Sequence, residues 1–200
     1  VIVAAKTAVA YVIAYLVFML VMMVFIIAYI FAVLVPTSSG VEWDLVTATD
    51  NEVVPVVEKL LDEGADVNGS LKRTALHAAA ENGNLEIVEL LIGRGADANL
   101  RDIHGRVPMF VALAEHHGQV ARRLAEETDP HAVTADGSTL LHAAARAEDV
   151  TLVQWALEHG TDVNAVRPGK SNATALIIAA RKGNLEIVQL LLTHGADPAV

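Results

Sequence analysis

Cysteine is absent from the 200 residues. That removes disulfides, thiolate nucleophiles and sulfur-ligated metal centres, and it is compatible with an oxidising compartment. Charge is missing altogether from residues 7–41. Positive charge is scarce in the remainder. Lys6 is the only charge before Glu42, so taking it from 14 basic and 24 acidic groups leaves 13 and 24, a formal charge of −11 over residues 36–200. A chain that acidic lacks the basic footprint needed for non-specific nucleic-acid binding. Also missing are G-x-S-x-G, H-E-x-x-H and C-x-x-C. Gly169-Lys170-Ser171 looks like the end of a phosphate-binding loop, but Asn164 stands where that loop requires glycine. No catalytic residue, cofactor or metal is expected.

The uncharged stretch has its own meaning. Ala8 to Val35, through Tyr15, Met22 and Tyr29, is 28 residues without charge, Gly or Pro. As a helix it would extend about 42 Å, and a bilayer core needs about 20 apolar residues. A signal-peptide core is only about 7–15 residues, so a retained transmembrane anchor over 1–36 is expected, stopped by Pro36-Thr37-Ser38-Ser39-Gly40. Tyr11, Tyr15, Tyr29 and Trp43 suit the two interfaces. Ala10 with Ala14, and Ala28 with Ala32, are spaced for close approach of another membrane helix. Lys6 before the run and acidic residues after it orient the remainder toward the exterior or a periplasm. The start at Val1 rather than Met suggests further residues upstream.

After the 37–43 linker, one unit repeats over 44–200. Gly83-Asn84-Leu85-Glu86-Ile87-Val88 recurs unchanged at Gly183–Val188, 100 residues later. Thr74, Leu76, His77 and Ala79 recur as Thr139, Leu141, His142 and Ala144, 65 residues later. Both shifts are near multiples of 33. A period of about 33 with a Thr-x-Leu-His-x-Ala opening resembles the ankyrin repeat.

The resemblance implies an all-α solenoid of stacked helix-turn-helix units with short β-hairpin fingers. It implies protein–protein interaction through a concave side, and no catalysis. Repeats are expected at about 41–70, 71–103, 104–136, 137–170 and 171–200. Leu85, Val88, Leu91 and Ile92 are expected to bury one face of a helix. The first repeat lacks the opening. The third departs most: Val107-Pro108-Met109-Phe110 replaces Thr-x-Leu-His, Glu127-Thr128-Asp129 replaces Gly-Ala-Asp, and Gly118 is out of register with Gly83. Altered helix ends are expected there, with a surface made by His116, His117, Arg122 and Arg123. The fourth has Glu148 in the glycine position. The finger before Thr174 is two residues longer than the one before Val107. The fifth has Ile177 in place of His and no polar cap, so either more chain or a partner covers it.

His77 and His142 occupy the motif's structural position, where an imidazole hydrogen-bonds nearby turns. His116 and His117 are adjacent, which turns them apart on a helix. His104, His131, His159 and His194 read as loop or helix-end residues. Asn68-Gly69-Ser70 and Asn172-Ala173-Thr174 fit a glycosylation sequon, although Asn68 is also the turn residue of the repeat. Arg73, Arg101, Arg106, Arg146, Arg167, Lys170, Arg181 and Lys182 fall on fingers or first-helix ends. Those positions, in the family resembled, belong to the binding side. Glutamates such as Glu58, Glu86 and Glu186 fall on second helices. With His104, His116 and His117, these cations are the candidate partner-binding residues, for an acidic or mixed-charge protein surface. Helix-dipole compensation explains several of them equally well.

The function expected is a single-pass, membrane-anchored interaction module, an accessory or scaffolding subunit of a membrane protein complex. Its partners would be other subunits and the lipid bilayer. The alternatives are an ankyrin-bearing piece of a channel or transporter, and a non-catalytic part of a membrane enzyme.

Overall fold

The computed structural model describes residues 44–69, 72–168 and 172–199. The expected anchor over 1–36, including Ala8, Tyr15, Met22, Tyr29 and Val35, lies outside them, as does Lys170. Among the described residues no helix is long and apolar enough to cross a membrane.

Among the described residues, ten helices come in five antiparallel pairs: α1 (Leu45–Asp50) with α2 (Val54–Asp62), α3 (Ala75–Asn82) with α4 (Leu85–Gly93), α5 (Pro108–Ala114) with α6 (Gly118–Ala125), α7 (Leu140–Ala147) with α8 (Val150–Glu158), and α9 (Ala175–Lys182) with α10 (Leu185–Thr193). No strand forms among the described residues. Two isolated antiparallel bridges, Val133 with Thr139 and Arg167 with Ala173, close two of the fingers.

Local chemistry starts most of the helices. Asp44 accepts the Thr47 N–H at 2.6 Å. Asn84, Asp149 and Asn184 do the same for Ile87, Leu152 and Ile187, each at 3.1 Å. A cap of this kind satisfies an N–H that the helix itself leaves open. Pro55 and Pro108 enter α2 and α5 within the first turn, where a missing N–H costs nothing.

First helices pack against one another in one row and second helices in another. Alanine makes the first row close: Ala78, Ala79, Ala80, Ala144, Ala145 and Ala179 are fully buried. Ile87, Val88 and Leu91 bury the inner face of α4. The expected core face is corrected at one end, because Leu85 is 37 % exposed and Ile87 takes its place. A Leu at the first helical position projects past the neighbour's packing surface, whereas one two residues later faces it.

Within each pair the chain reverses through one residue in the left-handed region: Glu52 (φ 56°), Gly83 (74°), His116 (64°), Glu148 (60°) and Gly183 (76°). Gly118 is therefore not a displaced counterpart of Gly83. His116 holds that role, and Gly118 opens α6. For a residue with a Cβ this conformation costs about 1–2 kcal/mol.

Candidate partner-binding groove

Two side chains repeat along the stack and tie neighbouring pairs together. The first is the histidine of the opening. His77 Nδ1 accepts the Thr74 N–H at 3.2 Å and lies 2.8 Å from its hydroxyl. Its Nε2 donates to the Arg106 carbonyl at 2.9 Å, in the next finger. His142 does the same with Thr139, at 3.2 and 2.8 Å, and with the Ala173 carbonyl at 2.9 Å. A carbonyl can only accept, so both rings are neutral Nε2–H tautomers. Burial pushes both below the ordinary histidine value.

The second is an asparagine after three of the second helices. Asn68 accepts the Asp97 N–H at 2.8 Å and donates to the Gly95 carbonyl at 3.3 Å. Asn99 does so with Asp129 at 2.7 Å and Glu127 at 3.1 Å. Asn164 pairs with Asp197 at 2.8 Å and Gly195 at 3.2 Å. The Asn68 amide is thus engaged in the fold. An aspartate two residues before each rung, Asp66, Asp97, Asp129 or Asp162, accepts the backbone N–H that shapes the turn. In the third pair the rung position is His131, whose side chain bonds nothing among the described residues. Phe110 stands there in the opening-histidine position, buried and unable to bridge. Both ties are therefore missing between the third and fourth pairs.

Most of the candidate cations serve the stack. Arg73 pairs with Asp50 at 2.7 Å and with Glu81. Arg101 donates to the Gly105 carbonyl at 2.8 Å and to that of Val133, joining two fingers. Arg106 pairs at 2.8 Å with the buried Asp102. Burial opposes the Asp102 charge, but the Arg106 N–H and guanidinium and the His104 N–H outweigh it and hold the carboxyl below its usual range. Arg167 reaches Asp136 at 3.6 Å and Lys182 reaches Glu148 at 3.4 Å. His117 Nε2 lies 3.0 Å from the Glu81 carbonyl. Arg122 binds Asp149 at 2.5 Å and Arg123 binds Glu89 at 2.9 Å. Apart from Arg106–Asp102, Arg101–Gly105 and Arg73–Glu81, these ties use residues about one repeat apart in sequence, so residue type and local position alone do not reveal them.

Arg146 and Arg181 remain exposed and in no ion pair or hydrogen bond among the described residues. Arg146, His104 and His116 come together around one groove of about 460 Å³. Its walls are α5, α7 and the fingers at His104–Arg106 and Thr134–Ser138, and Lys182 reaches in from α9. Apolar lining comes from Phe110, Leu113, Ala143 and Ala147. The groove opens where the two ties are missing. Sequence reasoning omitted Phe110, Ser138 and Asp136; the signal for Phe110 was its substitution into the histidine position.

A family model described as ankyrin repeats (three copies) matches residues 45–132 and 109–200. The chain belongs to the ankyrin-repeat family. The array is also 38 % identical over 100 residues to the yeast (Saccharomyces cerevisiae) protein described as probable 26S proteasome regulatory subunit p28, spanning 48 % of this chain and 42 % of that one. It is 35 % identical over 106 residues to human (Homo sapiens) NF-kappa-B inhibitor alpha, spanning 50 % and 33 %. It is 32 % identical over 115 residues to alpha-latroinsectotoxin-Lt1a of Latrodectus tredecimguttatus, spanning 55 % and 8 %. The chain covers less than half the length of each of these relatives. Ankyrin repeats imply a protein–protein interaction module. Among the described residues no group of three or more potential metal ligands comes together.

Proposed function

We propose that the ankyrin array docks a partner protein through the side carrying its fingers and first helices, centred on the groove between the third and fourth repeats. The observation that carries this reading is the meeting there of unpaired Arg146, His104 and His116 with an apolar lining. The relatives named as a regulatory subunit and an inhibitor support action through another protein. In this reading Ala8–Val35 is a single-pass anchor, the repeats lie on the exterior or periplasmic side, and the chain is an accessory subunit of a membrane protein complex. An anchor would raise the local concentration of array and partner in one membrane.

Affinity capture from native membranes tests the docking side. The double variant Arg146→Glu/Ala147→Glu is expected to lose the co-eluting protein, and Glu58→Lys on the second-helix row to retain it. Equal capture by all three proteins would overturn the reading. Digestion of the array by protease added to sealed right-side-out vesicles is the result expected for the orientation; protection would reverse it.

A further inference from the structure

The groove's charges do not all cancel. Arg106 is neutralised by Asp102 at 2.8 Å, Lys182 faces Glu148 at 3.4 Å, and Asp136 faces Arg167 at 3.6 Å. Arg146 has no such counterpart among the described residues. One unit of positive charge is thus left in a groove of an otherwise strongly acidic array, beside an apolar lining. Ser138 in the same wall is buried, and its hydroxyl is the one buried side-chain polar atom without a hydrogen-bond partner among the described residues.

We propose that the groove receives a single carboxylate side chain, Glu or Asp, from an extended segment of the partner, with aliphatic residues flanking it. This rests on the docking side proposed above and adds the chemistry recognised there. Arg146 presents a guanidinium fork suited to two parallel bonds with a carboxylate. Phe110, Leu113, Ala143 and Ala147 give the flanking side chains an apolar surface. A phosphorylated residue fits less well. Asp136 lines the same groove, and the Thr134 hydroxyl and the Ser138 N–H keep it ionised well into acid. A second negative charge on the ligand would be repelled by that carboxylate.

The test uses the full 200-residue chain in detergent micelles. Its probes are fluorescein-labelled pools of nine-residue peptides with a fixed central Glu among Leu, Ile and Val. Matched pools carry Gln or phosphoserine at the centre. Fluorescence polarisation is expected to give the Glu pool about tenfold tighter binding than the Gln pool. Arg146→Gln should bring the Glu pool to the Gln level, and Lys59→Gln should leave the preference intact. Equal binding of Glu and Gln pools, an undiminished preference in Arg146→Gln, or tighter binding of the phosphoserine pool would each overturn the proposal. Benzophenone versions of the pools separate the two readings. Cross-links to groove residues without a Glu preference remove the carboxylate and leave the docking side standing. Cross-links confined to second helices remove both.

Discussion

The junction between the second and third repeats and the one between the third and fourth are tied differently, and the first helices pack more extensively at the former. The former has the His77–Arg106 bond, both Asn99 bonds, the Arg123–Glu89 pair and the His117–Glu81 bond. The latter has Phe110 and His131 in the two tie positions and keeps the Arg122–Asp149 and Arg167–Asp136 pairs. Apolar packing alone is enough to stack repeats, because no repeat can bury its face by itself. Directional bonds add a fixed spacing between neighbouring turns. At the third junction, where Phe110 and His131 replace the two ties, the fingers and first helices line the groove around Arg146.

The contrast can be broken or sharpened by substitution, with hydrogen exchange read repeat by repeat because long arrays do not always unfold in one step. The largest effect is expected at Gly83. A Cβ there would lie 2.3 Å from His117 Nδ1, while one at Gly183 meets nothing within 4 Å. Both replacements incur about 1–2 kcal/mol for the left-handed backbone. Gly83→Ala should add about 1 kcal/mol more by displacing the His117 ring from its carbonyl. Equal thermal shifts for Gly83→Ala and Gly183→Ala would refute that role for His117.

Next, Asn99→Ala removes two bonds and should destabilise by about 1–2 kcal/mol, making the second junction behave like the third in urea unfolding. The reverse change, His131→Asn, should install the missing rung and stabilise by about 1 kcal/mol. Slower exchange in α7 and α8 would register it, and unchanged exchange would mean that the turn spacing at the third junction cannot accept a rung.

The smallest effect is one of pH. His77 and His142 are buried neutral, with folded values below the 6.5 of an unperturbed histidine. The unfolded chain therefore binds more protons over that interval. Their contribution is complete above about pH 6.5 and declines as pH falls below it toward the folded values. The second and fourth junctions should loosen first between neutral pH and pH 5, and the third, which has Phe110 instead, should not follow them. Asp102 and Asp136, held below the ordinary 3.8, lose their contribution only at lower pH.

Much of the fold was legible in the sequence. The Thr-x-Leu-His opening marked His77 and His142 as structural histidines that bond nearby turns, and the shared string at 83 and 183 placed two linkers. The opening at Val107-Pro108 marked the third repeat as different. That Gly118 is out of register with Gly83 was legible too, and the backbone keeps its left-handed turn 33 residues after Gly83, at His116. The groove was half legible. Arg146, His104 and His116 were among the candidate residues, but so were Arg73, Arg106 and Arg167, which the stack consumes. Arg106 finds Asp102 within its own finger, but the partners of Arg73 and Arg167 lie about one repeat away, and only the packing of two repeats brings Asp50 and Asp136 to them.

The same six residues show where local sequence stops deciding. By itself the string Gly-Asn-Leu-Glu-Ile-Val determined a left-handed turn, an asparagine cap and a helix, and it did so twice, with Ile87 and Ile187 both fully buried. Tertiary structure decided the rest. Leu85 is 37 % exposed and Leu185 77 %, and Gly83 lies under a histidine ring while Gly183 faces open space. Capping and turn geometry depend on neighbours within four residues, which a sequence carries with it. Burial and ion pairing depend on the repeat stacked alongside, which the string itself does not contain.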